Sequence, residues 1–92
     1  MPRLKESEIQ ERLKTITGWE RTGNEIRKKF SLLTFPAAVG FVNAVAVLAE
    51  KANHHPDFLI QYRNVTLTLT TYSQDGLTEK DFDLAGEINK LV

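Results

Sequence analysis

The sequence predicts an α+β fold: a four-stranded antiparallel sheet with three helices packed on one face, in the order α-β-β-α-β-β-α, with residues 1–92 as a single domain. Three observations carry that prediction. Apolar residues recur at helical spacing in three segments, they alternate with polar residues in the segments between, and turn signals split each alternating segment into two consecutive strands. Consecutive strands pair antiparallel, and helices then cover the apolar side of the sheet.

The first helical segment is ESEIQERLKTI, residues 6–16, where Ile9, Leu13 and Ile16 form one apolar stripe on a charged helix. The period then changes. Trp19 opens a short strand, Gly23-Asn24 is a turn signal, and Ile26, Phe30 and Leu32 alternate with polar neighbours, so residues 18–33 are expected to form a β-hairpin. Thr34 is an N-cap residue type and Pro36 suits the first turn of the helix that follows.

That second helix places Ala38, Phe41, Val45, Leu48 and Ala52 on one side and Val39, Val42, Ala46 and Ala49 round another. Almost no polar face remains before Glu50. A helix apolar on two sides needs two covers, and in so short a chain the second is expected from another copy, as a homodimer or homotetramer.

After Pro56 the period becomes two. Phe58, Ile60 and Tyr62 share a face, and Arg63-Asn64 is read as the turn. In VTLTLTTY, Val65, Leu67 and Leu69 point one way, and Thr66, Thr68, Thr70 and Tyr72 point the other. The hydroxyl-rich side is expected to wall a ligand pocket. SQDG is a turn, Thr78 opens the last helix with Asp81 at the third position of a capping-box-like pattern, and Phe82, Ala85, Ile88 and Leu91 form its inner face.

Charge and composition exclude several functions. Twelve basic residues balance twelve acidic ones, so no strong field draws nucleic acid, although Arg27, Lys28 and Lys29 adjoin on the second strand. The absence of cysteine rules out disulfides and thiolate chemistry. MPRLKESEIQ lacks the apolar stretch of a signal peptide, and no apolar run approaches the roughly 20 residues of a membrane span. No membrane association is expected, and the expected location is the cytoplasm.

The two histidines, His54 and His55, stand together at the exit of the second helix. A histidine there can cap carbonyls and favour the helix dipole. A metal set of His54, His55 and Asp57 lacks a further strong ligand at a recognised spacing, so no metal is expected. Proton transfer is the third reading, because imidazole exchanges protons near neutrality and Pro56 biases His55 towards a fixed extended geometry.

Glu50, then three residues, His54-His55-Pro56, five residues and Tyr62 resembles the signature of the pterin-4a-carbinolamine dehydratase family. The similarity extends to Gly18-Trp19, Phe35, Gly40-Phe41, AEK at 49–51 and GLTEKD at 76–81, in register over nearly the whole chain. The resemblance implies a hydro-lyase that converts a 4a-hydroxytetrahydropterin to the quinonoid dihydropterin in tetrahydropterin recycling, with the pterin as substrate and no cofactor. It implies His54 as general acid/base at the 4a-hydroxyl and His55 as pterin ligand and proton-transfer partner. Tyr72 stands where the family usually has a third histidine; a phenol there can donate to the leaving hydroxyl or merely end the strand. Pro56, Glu50 and Asp81 are substrate-binding candidates; Glu50 and Asp81 could also orient a catalytic histidine, or Glu50 could instead pair with Lys51 or Arg63, and Asp81 could cap its helix. Mammalian members also serve as dimerisation cofactors of a homeodomain transcription factor. The alternative function is therefore a catalytically weak protein-binding cofactor acting through the apolar middle helix.

Overall fold

Alternation along two hairpins gathers the branched apolar residues onto one side of a sheet. The computed structural model describes residues 2–92, with α1 (Glu6–Leu13), β1 (Glu20–Thr22), β2 (Glu25–Ser31), α2 (Phe35–Ala52), β3 (Asp57–Gln61), β4 (Asn64–Leu69) and α3 (Glu79–Asn89). A 3-10 turn, Tyr72–Gln74, lies between β4 and α3. The four strands pair antiparallel in the order β1-β2-β4-β3, so the α+β class and element order are as the periodicity predicts.

Ile26 stands opposite Leu69 and Phe30 opposite Val65, and all four are buried on the helix side with Leu67. The Phe30 and Phe41 rings meet at a 43° tilt with centroids 4.8 Å apart, which ties β2 to α2. Lys28 belongs to the same side. Its amine reaches Thr17 O at 2.9 Å and Asn89 Oδ1 at 3.0 Å, and lies 4.8 Å from the centre of the Phe30 ring. The cation beside Arg27 and Lys29 in sequence is therefore turned under the helices.

Local chemistry sets the ends of α2. The Thr34 hydroxyl accepts from Ala37 N at 3.1 Å, and Asn53 stops the helix in the left-handed region at φ 51°. The buried stripe runs Ala38, Phe41, Val45, Ala49. Ala49 thus faces the core and Ala52 is exposed, the reverse of their expected places, because the stripe follows the helix's drift by steps of three, four and four. By length and composition α2 is apolar enough to cross a membrane, yet this stripe belongs to the core beside the sheet.

Other boundaries shift slightly. Ile16 is buried beyond the end of α1, β1 starts after Trp19, and Leu91 is exposed beyond α3. The β3–β4 turn falls at Tyr62-Arg63 rather than Arg63-Asn64, since Gln61 pairs with Asn64. Tyr62 sits at φ 56° and is exposed, so it does not continue the face of Phe58 and Ile60.

The helices leave β3 bare. Phe58 and Ile60 stand opposite Leu67 and Val65, on the core side, yet remain 37% and 44% exposed. Phe35, Val39 and Val47 of α2 are exposed as well.

Candidate active site

Three short connections build the site at one end of the β3–β4 ladder. The left-handed Asn53 turns the chain back after α2, and His54 N then donates to Ala49 O at 3.1 Å. The buried Pro56 follows, and Asp57 enters the sheet opposite Thr68. On the other strand, Thr71 leads into the 3-10 turn and bridges to Gly76, which returns the chain towards α3.

Each imidazole is held from behind by a carboxylate. His54 Nε2 lies 2.5 Å from Asp81 Oδ1, and His55 Nε2 lies 2.5 Å from Glu50 Oε2. An ionised carboxylate can only accept, so the proton of each pair belongs on Nε2 and Nδ1 is left for a ligand. The two pairs differ in environment. The His54 and Asp81 side chains are 10% and 0% exposed, whereas those of His55 and Glu50 are 55% and 79% exposed. Water screens the second pair and not the first.

Asp81 is the hub of a buried polar network. Its Oδ2 accepts from Thr78 N at 2.9 Å and from the Thr71 hydroxyl at 2.8 Å, while the Thr71 and Thr78 hydroxyls lie 2.9 Å apart. One carboxylate thereby completes the capping box of α3 and fixes the His54 ring.

A cavity of about 440 Å³ opens between these connections, within the size range of small-molecule sites. His54, His55, Pro56, Asp57, Tyr72 and Lys80 are among its lining residues. A larger groove of about 510 Å³ between α2 and α3 carries no imidazole, so the chemistry favours the smaller space.

Of the expected site residues, the fold brings His54, His55, Pro56 and Tyr72 to this cavity. Glu50 and Asp81 are not among the lining residues: the carboxylate of Asp81 is buried against His54, and that of Glu50 is solvent-exposed beside His55. Glu50 pairs with His55 and not with Lys51 or Arg63. The hydroxyl side of the sheet walls this cavity only in part: Thr70 and Tyr72 border it together with Thr71, whereas Thr66 and Thr68 line a separate hollow of about 210 Å³. Tyr72 lies on the 3-10 turn past the strand and donates to Asp57 Oδ2 at 3.1 Å. That contact holds the phenol above its ordinary pKa of 10.0, through the hydrogen bond first and then the charge of Asp57. Among the described residues no three His, Cys, Asp or Glu side chains converge as a metal-binding group.

Sequence reasoning missed Thr71 and underrated Asp57. Strand alternation puts Thr71 on the core side, where a hydroxyl needs a partner; that parity was its only signal. Asp57 carried none beyond its place after His55-Pro56.

Fold and site together define a small α+β protein with paired imidazole–carboxylate couples at a ligand-sized cavity. The family model for pterin 4 alpha carbinolamine dehydratase matches residues 2–91, and the chain belongs to that family. A Roseiflexus sp. (strain RS-1) protein, provisionally named a pterin-4-alpha-carbinolamine dehydratase, is 58% identical over 90 residues, covering 98% of this chain and 97% of its own. The crystal structure of a transcriptional coactivator/pterin dehydratase from Brucella melitensis superposes with a TM-score of 0.93 at 37% identity, over 97% of each chain. A pterin dehydratase-like protein identified as a RuBisCO assembly factor in the alpha-carboxysome has a TM-score of 0.66 at 22% identity, over 79% of this chain and 84% of its own, and shares the fold.

Proposed function

We propose that the protein dehydrates a 4a-hydroxytetrahydropterin to the quinonoid dihydropterin. One observation carries the reading: both imidazoles border one cavity, and each ties Nε2 to a carboxylate while Nδ1 takes no partner among the described residues. In the reaction the bond from C4a to its hydroxyl breaks and the hydroxyl leaves as water. It takes one proton as it goes, and one proton is lost from the neighbouring ring nitrogen. No electrons are exchanged. His54, in its imidazolium form, delivers the first proton from Nδ1, and the Asp81 carboxylate steadies that charge. His55 accepts the second, returning the pair to its starting protonation through solvent. Pro56 shapes the wall beside them. Neither step calls for a metal or a bound cofactor, so treatment with a chelator is expected to leave the rate unchanged.

The assay supplies the carbinolamine, follows quinonoid dihydropterin formation, and compares the chain with His54→Ala. General acid–base groups contribute about 10²–10⁴-fold, and a loss of that size is expected. A parent chain no faster than the spontaneous reaction overturns the reading.

The uncovered apolar residues of α2 and β3 support self-association, as a homodimer or homotetramer; the cytoplasm is the proposed location. They also favour one second reading, a catalytically weak protein that binds another protein through α2. Light scattering of the parent chain and of Val47→Glu separates them: loss of self-association with retained activity supports the enzyme, and a monomeric parent chain without activity supports the binding role.

A further inference from the structure

Tyr72 and Asp57 meet at the cavity from different connections, and the way they meet restricts what the tyrosine can do. The phenol carries a single proton, and the 3.1 Å contact gives it to Asp57 Oδ2. While that bond holds, the proton is not available to a ligand. What the pair offers instead is the lone pairs of the phenol oxygen and Asp57 Oδ1, which takes no hydrogen bond from any described residue.

Both side chains rest on fixed backbone. Asp57 follows the buried Pro56 and begins the β3–β4 ladder, and Tyr72 follows Thr71, whose hydroxyl is bound to Asp81.

We propose that Asp57 is a positioning residue that makes Tyr72 a hydrogen-bond acceptor, so that the phenol oxygen receives an N–H or O–H donor of the bound substrate and Tyr72 does not protonate the departing hydroxyl. The inference rests on the dehydratase reading and refines it. A reduced 2-amino-4-oxopyrimidine ring presents adjacent N–H donors along one edge, which suits a wall of acceptor oxygens. The field around the phenol agrees. A phenol keeps its proton through the neutral range in any case, and the hydrogen bond to Asp57, the charge of Asp57, desolvation and, last, Glu25 from β2 raise its pKa further. His54, His55 and Lys80 are the other titratable groups on the cavity wall.

The chain has two tyrosines, so Tyr62→Phe leaves Tyr72 as the one phenol visible in an ultraviolet titration. In that background Asp57→Asn is expected to move the Tyr72 titration to lower pH, and addition of 7,8-dihydrobiopterin to the unaltered Asp57 protein is expected to perturb it. In the carbinolamine assay, Asp57→Asn and Tyr72→Phe are each expected to raise KM about tenfold with a smaller change in kcat, the scale of one lost hydrogen bond to a charged or oriented group. The double variant is expected to be no worse than either single one. An unmoved titration in Asp57→Asn overturns the positioning role. A fall in kcat of about 100-fold in Tyr72→Phe at unchanged KM makes the phenol a proton donor and overturns the acceptor role. Active parent protein with indifferent variants removes this inference alone, whereas inactive parent protein removes the dehydratase reading and this inference with it.

Discussion

His54 and Asp81 lie 27 residues apart in sequence, yet Nε2 of one and Oδ1 of the other are 2.5 Å apart. The imidazole is almost buried and the carboxylate wholly so. Such a contact fixes the ring's tautomer and its orientation together.

Asp81→Asn keeps the shape and removes the charge. A carboxamide can present its N–H to the ring and select the wrong tautomer, so kcat is expected to fall about 100-fold or more. The Thr78 cap also weakens, at about 1 kcal/mol. Steady-state assays well below the melting temperature distinguish the two effects; a kcat within threefold of the parent chain refutes the orienting role.

Glu50→Gln is expected to matter far less. The His55–Glu50 pair stands in water, where exposed ion pairs are worth about 0–1 kcal/mol. Melting should move by less than a few degrees and kcat by less than about tenfold. A loss matching that of Asp81→Asn would mean the two imidazoles contribute equally.

Acid stability is expected to depend on Glu6. Its carboxylate joins Arg21 of β1 and accepts from Gln10, and both bonds hold its pKa below the ordinary 4.5, Arg21 contributing most. A depressed folded value stabilises the fold above the unfolded pKa, and that stability is lost as pH falls through the folded value. Glu6→Gln should therefore flatten the decline in melting temperature below about pH 4.5. An unchanged slope between pH 5 and 2 would contradict this.

Asn89 anchors the far end of the helix layer. Its carbonyl accepts from Trp19 Nε1 at 2.9 Å and Lys28 Nζ at 3.0 Å, while its amide donates to Thr17 O at 3.1 Å. Asn89→Ala strands the Trp19 indole and leaves the Lys28 ammonium its bond to Thr17 O, at an expected cost of about 1–2 kcal/mol by chemical denaturation. Carbinolamine turnover below the transition should persist, since no cavity residue is touched.

The hairpins were legible because β4 reports both of its environments in alternation: Val65, Leu67 and Leu69 are buried, and the threonines between them are half-covered. The same rule misled at Tyr62, where alternation runs on into a turn whose left-handed backbone only the pairing of Gln61 with Asn64 reveals. His54 and His55 were visible as a pair, and the family signature named their neighbours. Which carboxylate serves which ring was not visible. Glu50 reaches His55 because Asn53 folds the chain back on itself, and Asp81 reaches His54 because α3 begins beside that fold. Such meetings depend on backbone paths that spacing does not encode.

Because Asp81 closes the first turn of α3 through Oδ2, which also meets Thr71, and holds His54 through Oδ1, the proposed activity is expected to be sensitive to fraying at that helix end. Heating should release the ring as soon as the Thr78 amide opens to solvent, before the sheet itself lets go. Hydrogen exchange at Thr78, followed alongside turnover as temperature rises, would then trace inactivation more closely than global melting does.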